Sequence, residues 1–426
     1  MKALLIAFVC QLSLYYHDLY DLQVVKERGE LFVRLLQAIG VWSILVAGIY
    51  VVFPSMFLGE GVSILAVFVL LFSLIAWRVV FSWLSQRRLL ATSTLILGTG
   101  DLARKIALEA VKRPESGIRI VGLITEDQDL VGKSIVNPRV LGDVAELRSV
   151  VGREHIDQVV VAMPEGRGRL PFVALLDLKL EGMSIVEGTN LYEKLTGKIA
   201  VESLRPSWLI FSEGFRKSPL THFYKRLFGV LLSAVGLILL MPVMALVALL
   251  IKLESRGPIL FRQERVGEGG RIFELLKFRS MRADAEAATG PVWAKKDDWR
   301  VTRIGKFIRK VRLDELPQFI NVLKGDMSFV GPRPERPHFV EQLCEKIPYY
   351  SQRHTVKPGI TGWAQVKYHY GASIGDTLEK LQYDLYYIKH MSISLDLLII
   401  FRHCIAGCEA LGLCGDTLRT CEARLN

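Results

Sequence analysis

One apolar segment, residues 227–251, restricts the fold more than any other feature of the chain. It reads "LFGVLLSAVGLILLMPVMALVALLI" and contains no charged residue. As a helix it is long enough to cross a bilayer. Lys225 precedes it and Lys252 follows it, and positive flanks favour the cytoplasmic side at both ends. Because Pro242 lies past the middle and bends a helix, the sequence predicts a re-entrant membrane helix broken at Pro242. A simple kinked span is the alternative.

Three further apolar stretches precede this segment within residues 1–88. Residues 35–53 and 62–84 are long enough to cross a bilayer, whereas residues 3–16 fall short of the roughly 20 residues that are needed. Lysines and arginines lie before the second stretch and after the third, and the link between those two has none. The positive-inside rule then places everything after Arg87 in the cytoplasm. We expect about three transmembrane helices and an outside N-terminus, with either one further helix upstream or a misplaced start.

Composition and charge indicate which kinds of partner the chain can bind. The 426 residues are 51% apolar and carry a formal net charge of +11. A basic balance suits nucleic acid, an anionic membrane surface or an anionic substrate. The long apolar segments favour the membrane, and the sequence carries no recognisable nucleic-acid-binding motif, so we expect no nucleic acid partner. The six cysteines do not show the spacing of a paired zinc site.

A strand, a glycine turn and a helix are predicted where residues 94–107 read "TLILGTGDLARKIA". Further apolar strands are predicted at residues 118–124 and 156–164. This alternation indicates a small, doubly wound parallel sheet, which is a Rossmann-like α/β domain over residues 90–190. Residues 191–222 are then expected to form a linker.

The glycine turn of this domain also carries a possible nucleotide fingerprint. Gly98, Gly100 and Ala103 fit the pattern G-x-G-x-x-A, in which a nucleotide phosphate approaches a helix N-terminus. Tight turns need the same residues, so the fingerprint by itself is weak evidence for nucleotide binding. A regulatory or structural domain is the alternative interpretation, and NAD(P) is not expected as a cofactor.

Basic residues accompany glycine and proline in the part of the chain that follows the membrane segment. Lys277 and Arg279 are two residues apart in an extended segment, where alternate side chains share a face, so both can reach one anion. Arg333 stands between two prolines in "GPRPERP", residues 331–337, which present it on a stiff loop. A guanidinium there suits bidentate contact with phosphate. A solvated strand edge and a simple proline turn are the structural alternatives.

Two adjacent acids, Asp314 and Glu315, stand beside a cationic run that contains no acid from Arg300 to Arg312. A lattice of surface salt bridges would mix the signs, whereas chemistry on an anionic substrate requires this separation. Neighbours on a helix do not face each other, so we expect separate roles for the two acids. A carboxylate can attack phosphorus as a nucleophile, or bind Mg²⁺ together with substrate phosphates. A helix start capped by Asp314 is compatible with either role.

Several segments resemble one known family when they are taken in order over residues 223–400. They read "FYKRLFGVLLS", "KFRSM", "RLDELPQFINVLKGDMSFVGPRP", "PGITGWAQV" and "YDLYYIKHMSISLDLLII". With the proline-bent segment they resemble the bacterial sugar transferases, which are monotopic polyprenyl-phosphate hexose-1-phosphate transferases. Together with its N-terminal helices and Rossmann-like domain, the chain resembles the larger members that start exopolysaccharide, capsule or O-antigen units, including the type associated with the PEP-CTERM system.

The resemblance implies a reaction and a set of site residues. A UDP-sugar donates sugar-1-phosphate to undecaprenyl phosphate, and UMP is the by-product. Asp314 is implied to be the nucleophile that forms a phospho-sugar intermediate with Mg²⁺ present, and Glu315 to assist it. The family's phosphate-site motifs contain Lys277, Arg309 and Arg333.

The resemblance also implies a location and partners. A small, mainly helical catalytic domain over residues 223–403 would lie on the cytoplasmic side of a bacterial inner membrane, among its lipids, with downstream glycosyltransferases and a homodimer as further partners. The sequence departs from the family at Gly229, where an acid usually follows the Lys-Arg pair. The tail over residues 404–426 is atypical, and no function is predicted for it.

Two other functions remain as alternatives. The first is a membrane-anchored enzyme that modifies a nucleotide-sugar on the Rossmann-like domain, and the second is a nucleotide sensor. Enzymes of the first kind usually need a tyrosine followed four residues later by a lysine, and no tyrosine of this chain has one. The acid pair together with Lys277 and Arg333 argues against a sensor without catalysis.

Overall fold

The computed structural model describes most of the chain beyond residue 90, in two compact units that divide after Ser203. The described ranges are 91–113, 116–135, 138–163, 170–204, 206–282, 300–368 and 373–410, with short runs and single positions between 11 and 76. The transmembrane helices expected in residues 1–88 lie outside the described residues except for those short runs and single positions. The tail beyond residue 410 also lies outside them.

The first unit is built on a parallel sheet of five strands. The strands are β1 (Thr92–Leu97), β2 (Ile118–Thr125), β3 (Val140–Asp143), β4 (Gln158–Val161) and β5 (Ser184–Glu187). Their order is β3-β2-β1-β4-β5, and every pairing is parallel. The order reverses between β1 and β4, which is the arrangement of a doubly wound Rossmann-like fold. The fold predicted for this domain is confirmed.

Helices cover both faces of this sheet. They are α1 (Asp101–Lys112), α2 (Leu147–Arg153), α3 (Phe172–Leu180) and α4 (Gly188–Thr196). Ile96 packs in a core with α1 and α4, while its neighbours Leu95 and Leu97 pack in a second core with α2 and α3. Because successive side chains of a strand point to opposite faces, a strand covered on both sides is apolar throughout. This explains the continuous run "LIL" in β1.

The boundary of this unit differs from the one expected from the sequence. Residues 191–222 were expected to form a linker, but Leu191, Tyr192 and Leu195 of α4 are buried in the core shared with α1. Apolar side chains at these helical spacings lie on one face, and that face closes the sheet. The first unit therefore runs through Ser203.

The glycine fingerprint lies at the carboxyl end of β1. Gly98 has a positive φ of 123°, Gly100 is the N-cap residue of α1, and Ala103 is fully buried against the sheet. A Cβ atom on Gly98 would lie 2.9 Å from the carbonyl oxygen of Ala162. The turn therefore needs glycine at position 98 for the fold itself, and nucleotide binding there stays a prediction.

The second unit is mainly helical, as predicted, with two short pairs of strands. Its elements are α5 (Pro206–Phe211), α6 (Pro219–Glu254), β6 (Leu260–Val266), β7 (Ile272–Phe278), α7 (Arg303–Lys310), α8 (Gln318–Lys324), β8 (Ser328–Val330), α9 (Pro337–Lys346), β9 (Gly359–Thr361), α10 (Trp363–Lys367), α11 (Ile374–His390) and α12 (Ile393–Ala410). Strands β6 and β7 form an antiparallel hairpin, and β8 pairs in parallel with β9.

Helix α6 contains the apolar segment with which the sequence analysis began. Ser218 caps its N-terminus by accepting a hydrogen bond from the Thr221 amide, and Pro219 occupies the first turn. Among the described residues it is the one helix long and apolar enough to cross a membrane. Its 36 residues continue through Pro242, which corresponds to a length of about 54 Å. The re-entrant path and its break at Pro242 stay predictions.

We predict that Gly98→Ala destabilises the first unit by about 1–3 kcal/mol, because the new Cβ atom meets backbone at a φ that alanine rarely adopts. The measurement is thermal unfolding of the full-length protein in detergent, followed by circular dichroism. The matched control is Gly152→Ala in α2, where a Cβ atom meets nothing within 4 Å. The control is expected to stabilise by about 0.5–1 kcal/mol. Equal unfolding temperatures for Gly98→Ala and wild type would refute this account of the turn.

Candidate active site

The two adjacent acids lie in a single 3₁₀ turn between two helices. The turn spans Leu313–Glu315, after α7 and before α8. Arg312 precedes it with a positive φ of 56°, which reverses the chain direction after α7. The side chain of Asp314 does not cap α8, because that helix begins three residues after Glu315 with Pro317 as its N-cap residue. Proline lacks an amide hydrogen and is tolerated at a helix start.

Both acids are largely buried, with 8% of Asp314 and 9% of Glu315 exposed. Glu315 is held by cations that come from other elements. Its Oε1 atom lies 2.6 Å from Nη2 of Arg333, and its Oε2 atom lies 3.4 Å from Nη1 of the same residue. Lys277 Nζ lies 3.5 Å from Oε1. A guanidinium that meets both oxygens of a carboxylate forms a strong, oriented pair.

Asp314 has no such partner within the described residues, where no side-chain hydrogen bond or salt bridge reaches its carboxylate. Burial and the neighbouring charge of Glu315 raise the pKa of Asp314, against the opposing effects of Lys277, Arg333 and Arg309. For Glu315, burial acts in the same direction, but Arg333 and Lys277 outweigh it and hold the pKa far below its usual value. One acid is therefore fixed as a paired anion, while the other is buried and has no side-chain partner within the described residues.

Lys277 reaches Glu315 from strand β7. Burial lowers the pKa of Lys277, and the charge of Arg333 adds to this effect, while Glu315 opposes it. The predicted site residues Lys277, Glu315 and Arg333 are therefore brought together from a strand, a turn and a loop.

Arg309 and Arg279 differ in their relation to this cluster. Arg309 lies in the last turn of helix α7, and its charge acts on Asp314. Arg279 was expected to share an anion with Lys277, but its guanidinium donates to the carbonyl oxygens of Ser255 at 2.8 Å and Arg256 at 3.1 Å. Strand β7 ends at Phe278, so the alternation of side chains no longer holds at Arg279. There the guanidinium braces the chain just beyond helix α6.

A buried asparagine, which the sequence analysis missed, fixes β7 to the helix that follows the acid pair. Asn321 of α8 accepts a hydrogen bond from the Leu276 amide at 3.0 Å and donates to the Glu274 carbonyl at 2.7 Å. These are the contacts that a neighbouring strand would make with the edge of β7. Asn321 therefore ties the strand that carries Lys277 to the helix that follows Glu315. The signal in the sequence was a polar residue inside the apolar run "FINVL".

The lysine that precedes the apolar segment of α6 also has a partner that the sequence analysis missed. Lys225 pairs with Asp396 of α12, and its Nζ atom lies 2.5 Å from the hydroxyl of Tyr387. That hydroxyl lies 3.0 Å from the Val330 carbonyl oxygen. An acid four residues after Lys225 is absent in this chain, since Gly229 is buried beside Val322 and Phe329. A carboxylate from the distant helix α12 neutralises the lysine.

A histidine at the expected end of the catalytic domain lies within electrostatic range of the acid pair. His403 Nδ1 is 3.1 Å from the hydroxyl of Thr361, which ends β9. Burial lowers the pKa of His403 to about 4, and the charges of Arg312, Glu315 and Arg333 also act on it. The imidazole is therefore neutral near pH 7.

The donor set can be tested against the Mg²⁺ that the resemblance implies. In the described residues, no three His, Cys, Asp or Glu side chains form a group that could hold a metal ion. Glu315 is already occupied by two cations, which leaves Asp314 as the available oxygen ligand. Mg²⁺ commonly binds one or two carboxylates and completes its shell with substrate phosphates and water. The site fits Mg²⁺ that arrives with a phosphate substrate.

The two acids are predicted to affect stability in opposite directions. A carboxyl whose pKa is raised on folding costs stability when it is ionised, and one whose pKa is lowered contributes stability above its unfolded pKa. At pH 7, Asp314→Asn should therefore raise the unfolding temperature. Glu315→Gln should cost about 2–4 kcal/mol, because it leaves Arg333 and Lys277 without their counter-charge. Thermal unfolding at pH 7 measures both.

The same comparison at lower pH provides the control. As the pH falls through the carboxyl pKa values, the advantage of Asp314→Asn over wild type should shrink. The stability that Glu315 contributes is present in full above its unfolded pKa and is lost progressively as the pH falls from there through its lowered folded pKa. If both variants destabilise equally at pH 7, the assignment of one paired and one unpaired acid is wrong.

Two family models match the chain. The model described as bacterial sugar transferase covers residues 220–409, and the model described as CoA-binding domain covers residues 16–169. The first range contains the acid pair, the cations around it, Asn321 and His403.

Curated proteins from several bacteria are similar to the chain. The UDP-N-acetylgalactosamine-undecaprenyl-phosphate N-acetylgalactosaminephosphotransferase of Aeromonas hydrophila is 49% identical over 213 residues, which are 50% of this chain and 49% of that protein. The undecaprenyl-phosphate glucose phosphotransferase of Komagataeibacter xylinus is 37% identical over 324 residues, 74% of this chain and 59% of that protein. The exopolysaccharide production protein PSS of Rhizobium leguminosarum bv. phaseoli is 42% identical over 185 residues, 42% of this chain and 91% of that protein.

Coverage differs among these relatives. The chain spans 49%, 59% and 64% of the length of the first three curated relatives it matches, but it covers nearly all of the Rhizobium protein. The resemblance seen in the sequence motifs is confirmed by the family model and by this coverage. The chain belongs to the bacterial sugar transferase family.

Proposed function

We propose that the chain transfers sugar-1-phosphate from a UDP-sugar to undecaprenyl phosphate and releases UMP. The observation that carries the proposal is the buried, unpaired carboxylate of Asp314 beside a glutamate held by Lys277 and Arg333. The names of the relatives support the class of reaction, since they include glucose and N-acetylgalactosamine phosphotransferases that act on undecaprenyl phosphate.

The reaction would proceed in two displacements at the phosphorus that carries the sugar. In the first, a carboxylate oxygen of Asp314 attacks this phosphorus, and the bond from the phosphorus to the bridging oxygen of the diphosphate breaks. The electron pair leaves with UMP, and an aspartyl phospho-sugar remains. In the second, a phosphate oxygen of undecaprenyl phosphate attacks the same phosphorus and releases the Asp314 carboxylate. The product is undecaprenyl diphosphate-sugar.

The charges around Asp314 suit this chemistry. Lys277, Arg309 and Arg333 offer positive charge where a diphosphate would bind, and fixed cations stabilise charge that develops in phosphoryl transfer. Glu315 is unsuited as the nucleophile because Arg333 occupies both of its oxygens. Its role would be to hold the two cations and to raise the pKa of Asp314. Mg²⁺, held by Asp314 and the substrate, would supply further charge neutralisation on the diphosphate.

Helix α6 supports a location at a membrane. Its exposed side chains are apolar over most of its length, for example Ile238, Met241 and Leu249. The acceptor proposed for the reaction is a lipid, and a helix of this kind would keep the acid pair close to lipid phosphates. We place the protein in a bacterial inner membrane, with the site on the cytoplasmic side where nucleotide-sugars are available. Partners would be the inner-membrane lipids and downstream glycosyltransferases.

The test uses the purified full-length protein with Mg²⁺, undecaprenyl phosphate and a panel of radiolabelled UDP-sugars. UDP-glucose and UDP-N-acetylgalactosamine head the panel because relatives carry those names. A radiolabelled lipid product with release of UMP is expected for at least one donor. If no donor gives a lipid product or UMP, the proposed reaction is wrong.

Asp314→Asn is expected to abolish transfer, by about 10³-fold or more in kcat, because an amide cannot form the acyl phosphate. The measurement is UMP release with the preferred donor, together with a check that the variant inserts into membranes and unfolds cooperatively. The matched control is Asp177→Asn, which removes a half-exposed acid of α3 and should leave the rate unchanged. Full activity in Asp314→Asn would remove the nucleophile assignment and leave the reaction itself in place.

The rate is expected to fall on both sides of a pH optimum. The nucleophile must be ionised, so kcat/KM should fall as the pH drops through the raised pKa of Asp314. This decline should occur at a higher pH than it would for an ordinary aspartate. The ammonium of Lys277 should be lost as the pH rises through its lowered pKa. Lys277→Arg supplies the control, because arginine keeps its charge and should move the alkaline limb upward. An alkaline limb that does not move would exclude Lys277 as its cause.

A further inference from the structure

The loop that carries Arg333 is held by its own carbonyl groups. Residues 331–336 form no helix or strand, and two of them are prolines, which have no amide hydrogen to donate. Four successive carbonyl oxygens of the loop nevertheless accept hydrogen bonds from other parts of the second unit. The pairs are Gly359 N to Pro332 O at 2.9 Å, Arg353 Nη2 to Arg333 O at 2.9 Å, Arg265 Nη1 to Pro334 O at 3.0 Å and Val266 N to Glu335 O at 2.9 Å.

Arg353 is the donor that acts on the main chain of Arg333 itself. Only 6% of Arg353 is exposed, and its guanidinium is fixed on further sides. Nη1 donates to the hydroxyl of Tyr350 at 2.6 Å, and Nη2 lies 2.8 Å from Oδ2 of Asp384. Tyr350 and Asp384 are themselves almost fully buried. A rigid fork anchored in this way holds the carbonyl that it binds at a defined position.

The position of that carbonyl decides where the Arg333 side chain starts. Its guanidinium must reach both oxygens of Glu315 from a loop without regular hydrogen bonding. Bidentate pairing depends on the direction as well as the distance of the guanidinium. The charge of Glu315, and through it the pKa of Asp314, depends on this pair.

We propose that Arg353 is a positioning residue, which aims the Arg333 guanidinium at Glu315 and at the substrate diphosphate by holding the Arg333 main-chain carbonyl. The inference rests on the proposed function for its effect on the rate. Its structural part is that Arg353 restrains the loop of residues 331–336, and this part is independent of the proposed function. Asp384 and Tyr350 contribute to the same positioning, since both contact the Arg353 guanidinium.

The test compares Arg353→Lys, Arg333→Lys and the double variant in the full-length protein. A lysine at 353 keeps the charge but cannot hold Tyr350, Asp384 and the Arg333 carbonyl together. We expect kcat/KM to fall about 10-fold for Arg353→Lys and about 100-fold for Arg333→Lys. If Arg353 acts through Arg333, the double variant should stay within about three-fold of Arg333→Lys.

A second readout does not depend on catalysis. Hydrogen–deuterium exchange of peptides that contain residues 331–336 should rise in Arg353→Lys, because the loop loses a donor. It should not rise in Arg333→Lys, which keeps the main-chain contact. Arg148→Lys in the first unit is the matched control, since it changes an exposed arginine that pairs with Glu181 and should change neither rate nor exchange.

The outcomes separate the possibilities. Rate losses that multiply in the double variant, or unchanged exchange in Arg353→Lys, would overturn the positioning role. If Arg353→Lys does not fold, Asp384→Asn replaces it, because that variant keeps Arg353 and weakens its anchor, and the same coupling to Arg333 is expected. If the wild-type protein shows no activity with any UDP-sugar, the proposed function fails, and the exchange measurement alone decides this inference.

Discussion

The ion pair between Glu315 and Arg333 is the interaction on which the rest of the site depends. A buried carboxylate is expensive unless cations and hydrogen-bond donors surround it. Arg333 meets both oxygens of Glu315, and Lys277 adds a second positive charge. This pairing keeps Glu315 ionised and places its charge next to Asp314. The neighbouring acid is then buried beside a permanent anion, which raises its pKa and leaves it without a fixed partner in the described residues.

The pair is possible because separate elements of the second unit converge on one turn. Strand β7 brings Lys277, and the loop of residues 331–336 brings Arg333. Each element is fixed by a buried polar side chain. Asn321 ties β7 to α8, and Arg353 holds the loop by its carbonyl. Buried polar groups with several partners restrain the elements that they join, and the loss of one partner is destabilising. The rigidity of the site therefore comes from groups that need not touch a substrate.

Charge pairing also accounts for the start of helix α6. Lys225 lies near the start of α6 and pairs with Asp396, which lies in the last helix. Arg226 donates to the carbonyl oxygens of Val322 and Leu323, at the end of the helix that follows the acid pair. Cations at a helix C-terminus stabilise it. Helix α6 and the acid-bearing segment are thus joined by charged side chains at the start of α6.

Local patterns in the sequence were sufficient to predict individual strands and helices. The apolar run of β1 and its glycine turn predicted a doubly wound sheet, and the uncharged segment predicted the long helix α6, because periodicity and turn chemistry act over a few residues. The same local rules failed at Arg279, where the strand ended one residue too early. They also failed for residues 191–203, where α4 completes a core that contains strands far away in the chain. Asn321, Arg353 and Asp396 went unnoticed because their partners are distant in sequence.

The sequence by itself determined the fold class of the first unit, the presence of a long apolar helix, the acid pair and the family. These follow from residue order and from motifs that are contiguous in the chain. Only the tertiary structure decided which acid is paired, which cations surround it and which arginine serves as a brace. The physical reason is that charge and burial depend on distances in space, and the groups around Asp314 come from residues 277 to 333 and beyond. The periodicity of residues along the chain does not indicate the distances between these groups.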